Sequence, residues 1–157
     1  MVTPDGPDGA VVVGADNSPA GTAALRWAAA EAARRDATLR VVRVHDAQER
    51  ADLSMERDSD SALREVRRRL FAQVCSRLDP GPHVWVVVSA VSGRLVPSLV
   101  REARGACTLV VGEPAHGVHQ DLPDELSRSC GCPVAVVGED GEVRYVFADV
   151  GHTVRRS

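Results

Sequence analysis

Short valine-rich runs alternate along this chain with longer stretches whose apolar residues recur at helical spacing. Val11-Val12-Val13-Gly14 reads as a buried strand over about Ala10 to Ala15. Ser18 and Pro19 then open a helix, serine as N-cap and proline at the first helical position. That helix runs to about Arg35. Gly21, Ala24, Leu25, Ala28 and Ala32 share one face, with Arg26, Arg34 and Arg35 opposite, so its small residues can lie close to a sheet. Leu39 to His45 is a second strand, and the polar stretch Asp46 to Asp58 reads as a loop or mobile cap. Ser59 or Asp60 opens a second helix to about Leu78, with Leu63, Val66, Leu70 and Val74 as its stripe; Asp79-Pro80-Gly81-Pro82 stops it. A third strand (Val84 to Val91), a helix (Leu95 to Arg104), a fourth strand (Thr108 to Gly112), a short helix (Leu122 to Ser129) and a fifth strand (Pro133 to Gly138) complete the pattern. Such alternation predicts an α/β fold, an open doubly wound parallel five-stranded sheet with right-handed crossovers and helices on both faces. In the tail, Val143, Tyr145 and Phe147 alternate with other residues, which suits a short sixth strand or a loosely docked extension.

Composition narrows the functional classes. Of 157 residues, 44% are hydrophobic but only 3% aromatic, so the core must be built from Val, Leu and Ala. This length fits one domain, expected over residues 10–138, after a disordered N-terminus (1–9) and before a C-terminal extension (139–157). A net charge of -3 argues against general nucleic-acid affinity. No membrane span or leader pattern stands out, which leads us to expect a cytoplasmic protein whose four cysteines are reduced thiols.

Several residues invite chemistry. Asp16, in the turn after the first strand, lies where doubly wound folds present their ligand site, though it can equally cap that turn. His116, His119 and Asp121 have metal-ligand spacing but read more simply as solvated loop residues. Cys130-Gly131-Cys132 is a C-x-C pair with redox capacity; Cys75 and Cys107 read as buried thiols. Arg64, Arg67, Arg68 and Arg69 form a solvated helix face with an i, i+4 partner in Glu65. No acid/base pair, nucleophile triad or metal constellation names a reaction, so no catalytic residue is assigned and the chain is read as a non-enzyme.

The first strand-turn-helix, Leu109-Val110-Val111-Gly112 and Cys132-Pro133-Val134-Ala135-Val136-Val137 together resemble the universal stress protein family, over about Ala10 to Val137. The resemblance implies strand order 3-2-1-4-5, a stress-response role and homodimers paired through the fifth strand, here Val134, Val136 and Val137. It also implies an ATP site with Mg²⁺. In that site Asp16, with Gly14 and Ala15 in its turn, contacts the nucleoside and Val44 lies against adenine. A Gly-x2-Gly-x9-Gly-Ser/Thr loop starting at Gly112 holds the phosphates.

This chain departs from that loop. Ala115 replaces the second glycine, and Glu125-Leu126 or Gln120-Asp121 stands at the Gly-Ser pair, depending on the end from which the loop is counted. In its place Asp121-Leu122-Pro123-Asp124-Glu125 reads as a self-capped helix start whose carboxylates repel a polyphosphate. The resulting expectation is a non-enzymatic stress-response binding protein with no cofactor and an unidentified protein partner. The alternative is an ATP/AMP sensor with an altered loop, a vestigial pocket at Gly14, Ala15, Asp16, Val44, Gly112 and Ala115, and slow ATP hydrolysis. A thiol switch at Cys130 and Cys132 ranks third.

Overall fold

A computed structural model describes residues 9–45, 59–78, 81, 83–115, 117, 120–148 and 152–155. The expectations for residues 1–8, for the stretch 46–58, and for His116 and His119 lie outside the described residues.

The chain forms β1 (Val11–Gly14), α1 (Pro19–Arg35), β2 (Leu39–His45), α2 (Ser59–Leu78), β3 (Val86–Ser92), α3 (Leu95–Glu102), β4 (Thr108–Gly112), α4 (Leu122–Ser129), β5 (Val134–Val137), β6 (Val143–Ala148) and β7 (His152–Arg155). They build one sheet of order β3-β2-β1-β4-β5-β6-β7. The first five strands are parallel and in the expected order. The expectation of an all-parallel five-stranded sheet is corrected: β6 and β7 extend it antiparallel, which makes it mixed. A turn over Gly138–Glu142, closed by Gly138 N–H on the Glu142 carbonyl at 2.9 Å, reverses the chain and lays β6 on β5.

Two apolar layers sandwich the parallel strands. On one face Ala24, Ala28 and Ala32 of α1 and Leu70 and Val74 of α2 meet Val11, Val13, Leu39, Val41 and Val110. On the other, Leu99 of α3 and Leu126 of α4 meet Val12, Val42, Leu109, Val134 and Val136. Strand residues alternate between the layers, so the near-continuous valine runs follow from burial on both faces. The alanine face of α1 lets that helix lie against β1 and β4 with no side chain larger than Leu25 buried between them.

The end of α1 carries a small charge network. Glu31 is joined to Arg34 and Arg35. The hydrogen bond from Arg34 holds the Glu31 carboxyl below its ordinary range; burial opposes this, and Arg35 adds to it. Because the folded-state pKa is lowered, the stabilisation is present above the unfolded value of about 4.3 and is lost as pH falls through the folded one. Glu31→Gln is therefore expected to lose roughly 0.5–1 kcal/mol at neutral pH, since both arginines are substantially solvated. Urea denaturation across pH should show that difference shrinking below about pH 4.

Candidate functional site

The C-terminal ends of β1 and β4 face the start of α1, and the sequence fixes this junction tightly. Ser18 is the N-cap, its Oγ accepting from Gly21 N–H at 2.9 Å. Asp16 Oδ1 in turn accepts from Ser18 N–H at 2.8 Å and from Ser18 Oγ at 2.5 Å. The Asp16 carboxylate therefore buttresses the helix cap, the structural role open to an aspartate in this turn. Both bonds fall on Oδ1, and the residue is exposed, which leaves Oδ2 to solvent.

Gly14 and Gly112 lie beneath this turn for packing reasons. A Cβ at Gly14 would meet Leu99 Cδ2 at 3.4 Å, so the space above β1 on that face is filled by α3. A Cβ at Gly112 would lie 2.7 to 2.9 Å from the backbone of Ala20 and Gly21, so α1 can start against β4 only over a glycine. Ala15 is half-buried and packs on the α1 layer, while Ala115 is exposed beyond β4. Val44 is half-buried against the α3 layer, on the face opposite Ala15. The six residues thus ring the ends of β1, β2 and β4, but only Gly14, Ala15, Asp16 and Gly112 converge on one junction.

The start of α4 departs from its sequence expectation. Asp121 is the N-cap residue but has αR backbone (φ -85, ψ -2) and makes no side-chain cap bond, so the expected self-capping is corrected. A capping side chain needs a β-region backbone to reach back over the first turn, and Asp121 lacks it. Pro123 removes one amide of that turn. Asp121 at the N-cap and Asp124 and Glu125 in the first turn are all exposed, three carboxylates at the start of an eight-residue helix. A cavity of about 430 Å³ opens between this turn and the start of α3, lined by Leu95, Val96, Gly117, Gln120, Asp121, Leu122 and Glu125. Sequence reasoning did not find this cavity; Leu95 and Val96 gave no signal beyond a helix start.

The remaining sequence candidates fall elsewhere. Glu65 pairs with Arg69 as expected and also with Arg68, on a solvated face of α2. Cys75 is exposed, which corrects the expectation of a buried thiol, and Cys107 is half-buried. Among the described residues no group of three His, Cys, Asp or Glu side chains could hold a metal. No described helix is long and apolar enough to cross a membrane. Val134, Val136 and Val137 do not form an open edge: Val134 pairs with Phe147, Val136 with Tyr145 and Val137 with Val143 of β6. The expectation that the fifth strand is an open edge is corrected accordingly.

Five parallel strands wound on both faces, with a strand-turn-helix junction over the middle of the sheet, define a doubly wound α/β domain. The sequence profile described as Universal stress protein family matches residues 9–138, and the chain belongs to that family. It is 33% identical over 138 residues to Universal stress protein Rv3134c of Mycobacterium tuberculosis and equally to the corresponding protein of a second strain of that organism. The match takes in 83% of this chain, and the chain spans 49% of the length of those curated relatives. Among solved structures, a universal stress protein in complex with cAMP superposes with TM-score 0.60 at 22% identity, covering 84% of this chain and 98% of that one. UspA from Lactobacillus plantarum gives 0.59 at 17%, covering 82% and 97%. At these identities the superpositions establish the fold.

Proposed function

We propose that this chain is a non-enzymatic stress-response binding protein that does not hold ATP through the family's phosphate loop. The observation that carries this reading is the exposed trio at the start of α4, Asp121 at its N-cap and Asp124 and Glu125 in its first turn. A polyphosphate placed there meets three negative charges where a phosphate loop needs amides and small residues. The residues present do not fit Mg-ATP. Ser18 and the α1 cap also occupy Asp16, the residue matched to nucleoside contact. Function then rests on a protein partner met by the surface around this junction.

A second reading has one specific support. The fold neighbour cited above carries cAMP, a ligand with a single negative phosphate charge, and here the first-turn amides of α4 lack a side-chain cap. A sensor for a nucleoside monophosphate would tolerate the acidic turn better than one for ATP.

Thermal unfolding with ATP, Mg-ATP and cAMP separates these readings. A ligand at a hundred times its Kd adds about 2.7 kcal/mol, which moves the midpoint by several degrees. We expect no shift with millimolar ATP or Mg-ATP. A saturable Mg-ATP shift would refute the first reading, and a shift with cAMP alone would establish the second. Neutralising the turn (Asp121→Asn, Asp124→Asn, Glu125→Gln) is expected to raise ATP affinity by at least about tenfold. No gain would place the obstacle in the shape of the loop instead of its charge.

A further inference from the structure

Three of the four cysteines gather at the opposite end of the strands from Gly112, near the N-terminal ends of β4 and β5. Cys130 is the C-cap of α4, its N–H donating to the Leu126 carbonyl at 2.8 Å. Cys132 stands two residues before β5. Both are free, half-buried thiols packed on the layer of Leu109, Leu126 and Val134. The two flank a single residue on that layer, close enough for each to shift the other's pKa. Gly131 between them is exposed, and a Cβ there would meet nothing within 4 Å, so the connecting bend has open space in which to reshape. Cys107, just before β4, lies near enough to sense Cys132 and contacts Arg35 from the other layer.

We propose that Cys130 and Cys132 form a reversible dithiol–disulfide site, oxidised by hydroperoxides. The one-residue spacing, the shared layer and the open bend carry this proposal: two free cysteines flanking Gly131 need only a side-chain rotation and a small change in that bend to reach bonding distance. The hydrogen bond that shifts the two thiols in opposite directions favours Cys132 as the attacking sulfur. The Cys130 thiol stabilises the Cys132 thiolate, aided by the Leu109 backbone and opposed by burial, so the Cys132 pKa falls. The same bond, followed by burial, holds the proton on Cys130. The thiolate is the nucleophile, and a small peroxide can reach a half-buried sulfur.

In the first step Cys132 Sγ attacks the terminal peroxide oxygen. The S–O bond forms, the O–O bond breaks, and the leaving alkoxide or hydroxide takes up a proton. Cys130, losing its proton to water, then attacks the Cys132 sulfur; the S–S bond forms and the hydroxide leaves as water. Two thiols and one hydroperoxide give one disulfide, one alcohol and one water, with two electrons passing from sulfur to oxygen. A thiol reductant reverses the result by exchange. Closure would fix the end of α4 to the start of β5, remote from the Asp16 junction, so the site stands or falls independently of nucleotide binding.

The test treats the reduced full-length chain with hydrogen peroxide and maps it with trypsin. Cleavage after Arg104, Arg128 and Arg144 puts Cys107 in peptide 105–128 and both Cys130 and Cys132 in peptide 129–144. The expected result is a peptide 129–144 lighter by about 2 Da, restored by dithiothreitol and formed before the exposed Cys75 is oxidised. Cys130→Ser should leave a sulfenic acid on Cys132 that dimedone captures, and Cys132→Ser should slow oxidation of this peptide at least about tenfold. An unchanged peptide mass, a cross-link joining 105–128 to 129–144, or a Cys130→Ser protein with no adduct would each overturn the proposal.

Discussion

Replacing Gly112 by alanine is expected to destabilise the ligand-free protein by about 3 kcal/mol, the upper end of the usual cost of overpacking. The new Cβ would sit 2.7 Å from the Ala20 carbonyl carbon and 2.8 Å from Gly21 N, and these are backbone atoms that cannot rotate away. Relief requires α1 to lift from β4. That motion loosens the contacts of Ala24 and Ala28, both fully buried, and strains the cap formed by Ser18 and Asp16. For a domain of this size the midpoint should fall by roughly 6–12 °C. Gly131→Ala, where the added methyl meets nothing, should stay within about 0.5 kcal/mol and serves as the control. The experiment also bears on function. Gly112 matches the first glycine of the family's phosphate loop, and a glycine kept for ligand approach would be stability-neutral without ligand. A midpoint within 2 °C or so of the parent would show that the helix can shift and that packing is not what requires glycine here.

The order and type of the first nine elements were legible in the sequence because the two periodicities are clean. Valine runs of strand length alternate with alanine or leucine stripes at helical spacing, and Ser18-Pro19 marks its helix start to the residue. Strand order came through the family resemblance and not from periodicity, which carries no information about which strands are neighbours. The misses have physical causes. β7 is four residues, His152–Arg155, with no apolar alternation, and its pairing depends on β6 already lying beside β5. Cys75 follows Val74 on α2, and a step of one residue turns the helix by about 100°, off the buried stripe and into solvent. Asp121 has the right side chain for a cap but the wrong backbone, and that backbone is set by the turn before it.

The candidate site was legible in its parts and not in its arrangement. Asp16, Gly14 and Gly112 do meet at one junction, yet each also has a packing or capping partner that explains it: Ser18, Leu99 and the α1 backbone. Sequence spacing alone cannot separate these roles, because a tight strand-to-helix junction and close approach of a ligand both call for small residues. The cavity between α3 and α4 is formed by elements distant in sequence, so no local motif announces it.

Glu102→Ala should lower stability by about 2–3 kcal/mol, through an arginine that the strand pattern left unremarked. Arg40 lies on β2, between β1 and β3, and its side chain is only 17% exposed. Its Nη2 donates to Glu102 Oε2 at 3.2 Å and to Ser89 Oγ at 3.0 Å, while Nε has no partner among the described residues. Removing the carboxylate leaves a largely buried cation with one neutral acceptor, the situation in which breaking an ion pair is most costly. Glu102 is also the last residue of α3, where the negative end of the helix dipole disfavours a carboxylate, so Arg40 neutralises both. Arg40→Met should therefore destabilise as well. The double replacement Arg40→Met with Glu102→Met should recover most of the loss, because no buried charge then remains and the stems fill similar volume. Urea denaturation of the parent, Arg40→Met, Glu102→Met and the double variant closes the cycle, with Glu102→Ala measured beside it. A Glu102→Ala change below about 0.5 kcal/mol would mean that water reaches the pair and that it behaves like the exposed bridges on α2.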